Sequence, residues 1–143
     1  MNQEILDYIK SQRIGVLAVE MPDGSPHAAT VHFANAENPL IFYFETDRDY
    51  RKSEALFGRD KSRASFVVGV DDQNKKTLQI DGEVRFIKDS EEKLFREVYF
   101  SKFPEKIAKI TPQKVFFLLT PTWWRYSDWT GPKGKVVITS DHV

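Results

Sequence analysis

The sequence of 143 residues contains no cysteine. A disulfide, a thiolate metal site and a cysteine nucleophile are therefore excluded, and the chain is compatible with a reducing compartment. No apolar run approaches the roughly 18 residues of a membrane-spanning helix, and none opens the chain as a signal peptide would. We expect a cytoplasmic protein with no membrane partner.

A charge excess of either sign is also lacking, because 21 Lys and Arg residues balance 21 Asp and Glu residues. A protein that binds nucleic acid without sequence preference needs a broad basic surface to displace counterions, so we expect no nucleic-acid partner. Hydrophobic residues make up 41% of the chain and aromatic residues 13%, which is typical of a folded core. The length predicts one domain over residues 1–143.

The spacing of apolar residues predicts more strands than helices. The predicted strands cover residues 14–21, 27–33, 40–46, 64–70, 77–87 and 114–129, with a small closing strand at 136–139. The predicted helices cover residues 2–12, 51–57 and 105–110, and the longest helix begins at Asp89. Regular β-α-β alternation is absent. We therefore predict a mainly β protein with peripheral helices, built as a six- to seven-stranded antiparallel barrel.

Five local signals refine this prediction. Pro22, Asp23 and Gly24 predict a hairpin turn. Gly82 lies inside a predicted strand, which indicates a bulge or a close backbone approach. Glu92 stands three residues after Asp89 and completes an acidic variant of the capping box. We also expect a kink in the last long strand at Pro121 and a helix end at Gly58.

Metal binding and nucleophilic catalysis have no recognisable motif in the chain. His27 and His32 lie five positions apart on one predicted strand, so their side chains point to opposite faces. No zinc-binding spacing, no G-x-S-x-G motif and no glycine-rich phosphate loop occurs. We predict no metal site and assign no catalytic residue.

The segment 45–53 follows a buried-looking strand and enters a predicted helix. Arg51 and Lys52 at a helix N-terminus oppose the helix dipole, and a bound phosphate would remove this conflict. The alternative is a solvated turn in which Asp47 or Asp49 caps the helix and neutralises the basic side chains. Composition alone favours the solvated turn, and both interpretations stay open.

All three tryptophans, Trp123, Trp124 and Trp129, fall within seven residues. Along a strand, Trp123 and Arg125 would share one face, and Trp124 would lie on the other. Such a group can form a core wall, a dimer contact or a surface that stacks on a planar ring. Stacking on single-stranded bases is disfavoured by the neutral charge of the chain.

The order of these features resembles the pyridoxamine 5′-phosphate oxidase-like FMN-binding split barrels, especially their small general-stress-protein type. The resemblance runs from the N-terminal helix to about Trp129. The matching segments are Ile14–Ala18, Gly24–Val31, Ile41–Thr46 followed by Arg51–Ser53, and Leu78–Gly82. Each segment is moderately specific, and their order and spacing together are more so.

The resemblance implies FMN as the cofactor. In the family a basic pair that follows the strand-end threonine by five and six residues binds the FMN phosphate, and Arg51 and Lys52 have this spacing from Thr46. The second strand runs along the flavin ring, and residues before the strand glycine reach the flavin from the same sheet or from the partner subunit. The cofactor-binding residues implied in this way are Thr30, Val31, His32, Glu45, Thr46, Arg51, Lys52, Ser53, Thr77, Gln79, Trp123 and Trp129.

The resemblance also implies a homodimer with two FMN sites at the subunit interface. We expect an FMN-dependent oxidoreductase whose substrate is unidentified. Oxidation of pyridoxamine phosphate itself is not expected, because the Arg-x-His motif of those oxidases is missing and their second-strand Arg and Lys are replaced by Ala29 and Ala34. The alternative is a non-catalytic module that stores or senses flavin or haem, with His32 as the haem ligand.

Overall fold

The computed structural model describes residues 1–69 and 71–142. Eight strands form one sheet: β1 (Ile14–Glu20), β2 (Pro26–His32), β3 (Ala34–Glu37), β4 (Leu40–Asp47), β5 (Ser62–Val68), β6 (Lys76–Phe86), β7 (Lys114–Asp128) and β8 (Val136–Thr139). The α-helices are α1 (Gln3–Ser11), α2 (Arg51–Glu54) and α3 (Glu92–Lys102). Single 3₁₀ segments cover Asp89–Glu91, Pro104–Lys109 and Ser140–His142.

The sheet is antiparallel throughout, and its strand order is β2-β1-β5-β6-β7-β4-β3, with β8 paired to β7 outside this path. The predicted fold class, a mainly β antiparallel split barrel with peripheral helices, is confirmed. All seven predicted strands are present, and the predicted strand end at Val70 lies outside the described residues. The short strand β3 was not predicted, because its alternation of small and polar residues carries no β-branched or aromatic side chain.

The sheet curls into a barrel because its two end strands are consecutive in sequence. Strands β2 and β3 stand at opposite ends of the strand order, yet only Phe33 separates them. The Phe33 ring is fully buried and lies with its centroid 5.2 Å from the Phe66 ring and 5.9 Å from the Phe42 ring. The Nζ of Lys102 lies 4.2 Å from the centre of the same ring. The chain therefore passes from one edge of the sheet to the other through one buried corner.

The predicted irregularity at Gly82 is present in the β6–β7 pair. The register shifts between Asp81 and Gly82, so that Asp81 pairs with Trp123 and Gly82 with Pro121. A Cβ atom at Gly82 would stand 2.3 Å from the backbone oxygen of Thr120. Both parts of the prediction hold, because the strands bulge at this point and their backbones come too close for any side chain.

Two layers of aromatic side chains cover both faces of β4. The barrel interior holds the rings of Phe33, Phe42, Phe44, Phe66 and Phe117. On the other face, Tyr43 packs against the α3 rings of Phe95 and Tyr99. Strand β4 therefore lies between the barrel core and a helix, which makes its C-terminal end a rigid base for the residues that follow.

The helices differ from the prediction mainly at their ends. Helix α2 is a single turn rather than a helix over 51–57, and the chain then turns to Gly58 at a φ of 73°. Before α3, the carboxylate of Glu91 accepts the Lys88 backbone N–H at 2.8 Å. Glu92 instead contacts Arg96 along α3, so the predicted capping role of Glu92 is wrong. Among the described residues, no helix is both long and apolar enough to cross a membrane.

Glu91, rather than Glu92, caps the segment before α3 because an arginine of the sheet holds its carboxylate. Both guanidinium N–H groups of Arg85 on β6 donate to the Glu91 carboxylate at 2.7 Å. These hydrogen bonds lower the pKa of Glu91 from 4.5 to about 2. The pair joins the end of β6 to the start of α3.

Glu91→Gln is expected to reduce the free energy of unfolding by about 1 kcal/mol at neutral pH, because Arg85 loses its bidentate partner. Since the folded-state pKa is lowered to about 2, the contribution is complete above pH 4.5 and is lost as the pH falls towards 2. Urea denaturation at several pH values measures the effect, with Glu92→Gln as the control. A difference between wild type and Glu91→Gln that does not narrow in acid would contradict this assignment.

Candidate functional site

The chain between β4 and α2 forms a compact turn held by the carbonyl oxygen of Asp47. This oxygen accepts the Tyr50 backbone N–H at 3.1 Å and the Ser53 hydroxyl at 2.8 Å. Ser53 is 1% exposed. Its hydroxyl hydrogen is therefore already used inside the protein, and Ser53 holds the turn that presents its two basic neighbours.

The two basic residues of this turn point away from the core. The Arg51 side chain is 59% exposed, and its guanidinium lies 4.0 Å from the Glu54 carboxylate. The Nζ of Lys52 lies 4.5 Å from the centre of the Tyr50 ring, and burial lowers the pKa of Lys52. The pKa of Asp23 is lowered mainly by hydrogen bonds from Ser25 and in smaller part by Arg51. Arg51 therefore faces the turn between β1 and β2.

The expectation that Asp47 or Asp49 caps α2 is wrong. The residue before the helix is Tyr50, and no side chain forms a capping hydrogen bond there. The Asp47 carboxylate instead binds the Nζ of Lys114 at 2.9 Å, which lowers the pKa of Asp47. The closest ion-pair partner of Asp47 therefore comes from β7, and the Asp47 charge also acts on Lys52.

Glu45 and Thr46 precede the turn on opposite faces of β4. Thr46 is 4% exposed, and its hydroxyl oxygen is buried without a hydrogen-bond partner among the described residues. The Glu45 side chain is 6% exposed and lies 3.4 Å from the Nζ of Lys114. Its charge also acts on Tyr99, so it stands on the α3 side. Of these two residues, Thr46 therefore lies on the barrel side of β4 and Glu45 on the side of α3.

The predicted residues of β2 and β6 share the outward face of the sheet. Strand register places Thr30 beside Val16, Val16 beside Val67, and Val67 beside Gln79. Thr30 and Gln79 are therefore three strand spacings apart, about 14 Å. Thr30, His32 and Gln79 are exposed and Thr77 is half-buried on this face, whereas Val31 is buried and points into the barrel. Val31 can contribute only backbone groups to a ligand on the outside.

His32 stands in a basic, aromatic environment at the end of β2. Its ring meets the Phe103 ring edge-on, with centroids 5.5 Å apart. The guanidinium carbon of Arg13 lies 4.7 Å from the centre of the same Phe103 ring. Burial first, and then the neighbouring Lys106 and Arg13 charges, lower the pKa of His32. These surroundings therefore favour the neutral form of the imidazole.

The tryptophans separate as the strand alternation predicts. Trp124 is 8% exposed and belongs to the core, so it forms a core wall. Trp123 is half-buried on the outward face, and its indole N–H donates to Asp141 at 2.9 Å. Trp129 is 44% exposed, with the Nζ of Lys135 at 4.9 Å from its ring. Only Trp123 and Trp129 therefore offer ring surface to a ligand.

Sequence reasoning missed Lys114 and the role of Glu45 beside it. Lys114 lies between the carboxylates of Glu45 and Asp47 and pairs with both, and the strand register places Lys114 directly opposite Asp47. An opposite-charge cross-strand pair is a usual signal, but it is readable only when the pairing of β4 with β7 is known. No group of three or more His, Asp or Glu residues in the described ranges could hold a metal ion.

Most of the chain matches the sequence model of one protein family. The sequence model of a family described as pyridoxamine 5′-phosphate oxidase matches residues 1–128. A search of curated proteins finds no match.

Solved structures share the fold at low sequence identity. A haem-binding protein from Mycobacterium smegmatis has a TM-score of 0.70 at 13% identity, and the match covers 99% of this chain and 60% of that one. A putative general stress protein 26 from Jannaschia sp. CCS1 has a TM-score of 0.68 at 18% identity, with 95% and 96% covered. A pyridoxamine 5′-phosphate oxidase-related, FMN-binding protein from Nostoc punctiforme PCC 73102 has a TM-score of 0.65 at 14% identity, with 96% and 88% covered. At these identities the likeness establishes the fold alone.

Thr46→Val is expected to raise the free energy of unfolding of the ligand-free protein by about 1 kcal/mol, because a buried hydroxyl without a partner is replaced by a methyl group of similar shape. Ser53→Ala, the matched hydroxyl control, is expected to lower it by about 1 kcal/mol through loss of a buried hydrogen bond. Urea denaturation measures both values. Equal destabilisation of the two variants would show that the Thr46 hydroxyl is bonded in the free protein.

Proposed function

The chain belongs to the pyridoxamine 5′-phosphate oxidase family, and we propose that it is an FMN-binding oxidoreductase that acts on an unidentified small molecule. The observation that carries this proposal is the end of β4. There the buried Thr46 hydroxyl has no partner among the described residues, and the exposed Arg51 and half-buried Lys52 follow it by five and six residues. A phosphate supplies what each group lacks, since its oxygens accept hydrogen bonds from cations and hydroxyl groups alike.

The residues present fit the FMN phosphate. Arg51 can donate two N–H groups in a fork, and Lys52 adds a second cation on the same turn. Ser53 supports the turn through its bond to the Asp47 carbonyl oxygen. Glu45 does not contact the phosphate in this arrangement. It pairs with Lys114 and so holds that lysine beside Asp47. A phosphate at this turn would therefore meet two cations, of which Arg51 lies 4.0 Å from Glu54 and Lys52 is also within reach of the Asp47 charge.

We place the flavin ring on the outward face, along Thr30 and His32, with the backbone of Val31 between them. Thr77 and Gln79 lie on the same face beyond β1 and β5. This separation supports a homodimer in which these two residues, with Trp123 and Trp129, border the flavin bound by the other copy. The face between them carries half-exposed apolar side chains, including Ile14, which is 39% exposed, and a partner subunit would bury them.

The bound flavin supplies the hydride or electron transfer, and the protein supplies its binding, orientation and electrostatic setting. We assign no general acid or base, because the substrate is unidentified. We propose that residues 1–143 act as one FMN-binding domain in the cytoplasm. The missing Arg-x-His motif and the Ala29 and Ala34 positions argue against pyridoxamine phosphate as the substrate.

Replacing Arg51 and Lys52 together by alanine is expected to weaken FMN binding by about 1.5–3 kcal/mol for each charged hydrogen bond lost. Fluorescence titration of the FMN-free protein with FMN measures the dissociation constant. Arg48→Ala is the matched control, because the guanidinium of Arg48 lies 5.6 Å from the Phe57 ring centre instead of facing this site. Unchanged affinity in the double variant, or absence of flavin absorption after FMN is added to the wild type, would overturn the proposal.

A second candidate function is haem binding or storage without catalysis. A metal ligand must be a neutral imidazole, and the surroundings of His32 lower its pKa. The haem-binding neighbour from Mycobacterium smegmatis shows that a protein of this fold binds haem.

If His32 binds haem iron, haem added to the wild type gives a ligated Soret spectrum, and His32→Ala loses it. His27→Ala is the control, because His27 lies on the same strand with its side chain on the other face. Identical haem spectra in wild type and His32→Ala would exclude this ligand. Steady-state NAD(P)H oxidation by the FMN-loaded protein separates an enzyme from a storage module.

A further inference from the structure

Arg125 on β7 is a half-buried arginine for which the described residues supply no ion-pair partner. Its Nε atom is buried and makes no hydrogen bond, and no carboxylate among the described residues lies within 4.0 Å of its guanidinium. The other partly buried arginines are paired, Arg85 with Glu91 and Arg59 with Glu20. A buried donor without an acceptor is costly, so we look for the acceptor of the Arg125 Nε–H outside the part of the chain that the structure describes.

The strand register shows where this acceptor must be. Arg125 pairs with Gln79, which continues the row Thr30, Val16, Val67 across the outward face. Trp123 precedes Arg125 by two residues and therefore lies on the same face. The acceptor must therefore approach the outward face of the sheet, where β6 and β7 meet.

The side chains around Arg125 on β6 and β7 narrow the chemical class of the ligand. Arg125 offers a planar fork of N–H donors, the exposed Gln79 amide both donates and accepts, and Trp123 supplies a flat ring. The Trp123 indole is held in place by Asp141, so the Asp141 carboxylate is already in use. A flat heteroaromatic ring with carbonyl and ring-nitrogen acceptors along one edge matches these three groups together.

The position of Arg125 also indicates which copy holds this ligand. Arg125 lies four strand spacings from Thr30, about 19 Å, whereas α2 with Arg51 and Lys52 packs against β2 at the other end of the row. A ligand whose phosphate is bound by α2 of one chain therefore reaches Arg125 most directly from a second copy facing this sheet.

We propose that Arg125 binds the N1 and C2-carbonyl edge of the FMN whose phosphate is held by the partner copy, and that it raises the reduction potential of that flavin. The proposal rests on the FMN-binding function proposed above. Reduction adds negative charge at the N1 edge, and a cation beside this edge stabilises the reduced form more than the oxidised form. Arg125 is thus a cofactor-contacting residue that sets the redox range of the protein.

Arg125→Met tests the proposal in the purified, FMN-loaded protein. We expect the affinity for reduced FMN to fall about tenfold more than the affinity for oxidised FMN, which corresponds to a potential about 30 mV more negative for a two-electron couple. The potential is measured by equilibration with a reference dye. Arg125→Lys keeps the positive charge, so we expect its reduction potential to lie close to that of the wild type. Arg63→Met is the control, because Arg63 lies on the same outward face but is already paired with Glu20.

The outcomes separate this inference from the function on which it rests. A wild-type protein that fails to bind FMN overturns the proposed function and the inference together. Normal FMN binding with the same potential in wild type and Arg125→Met overturns the inference alone. A variant that weakens only the dimer, with an unchanged potential, assigns Arg125 to a carboxylate of the partner copy and also overturns it. A more negative potential in a folded, dimeric Arg125→Met supports the proposal.

Discussion

The buried ring of Phe33 closes the sheet on itself, and the rest of the structure depends on this closure. Phe33 alone joins β2 and β3, which are the two end strands of the seven-strand path. The five strands between them must therefore curve until these two ends meet. The ring packs on Phe42 and Phe66 from two other strands. Lys102 covers it from α3 and donates a hydrogen bond to the Gln12 carbonyl oxygen, which ties α1 and α3 to the same corner.

Closure also organises the candidate site. With β4 packed between the barrel core and α3, its last residues have fixed directions, Thr46 inward and Glu45 towards the helix. Lys114 from β7 then forms ion pairs with both Glu45 and Asp47. The charges of Arg51 and Lys52 are left without comparably close partners. The candidate anion site therefore lies beside the pairing of β4 with β7, in a chain whose total charge is zero.

Local patterns predicted most of the fold. Alternating apolar residues located seven strands, and Gly82 marked the bulge, because these signals depend on neighbours within a few residues. The failures have a common cause. Strand β3 exists because β4 pairs with it, and Glu91 rather than Glu92 caps the helix because Arg85 arrives from β6. The single-turn α2 lacks the expected aspartate cap because Lys114 binds Asp47. Each failure involves a partner distant in sequence.

The sequence by itself determined the spacing of Arg51 and Lys52 from Thr46, the opposite faces of Trp123 and Trp124, and the mainly β class, because these follow from backbone periods of two and 3.6 residues. Only the tertiary structure decided which strands are neighbours and in what register. It placed Thr30, Gln79 and Arg125 in one row and left Arg125 without a carboxylate partner among the described residues. Register depends on barrel closure and on the bulge at Gly82, and these arise from packing across the whole sheet rather than from any single segment.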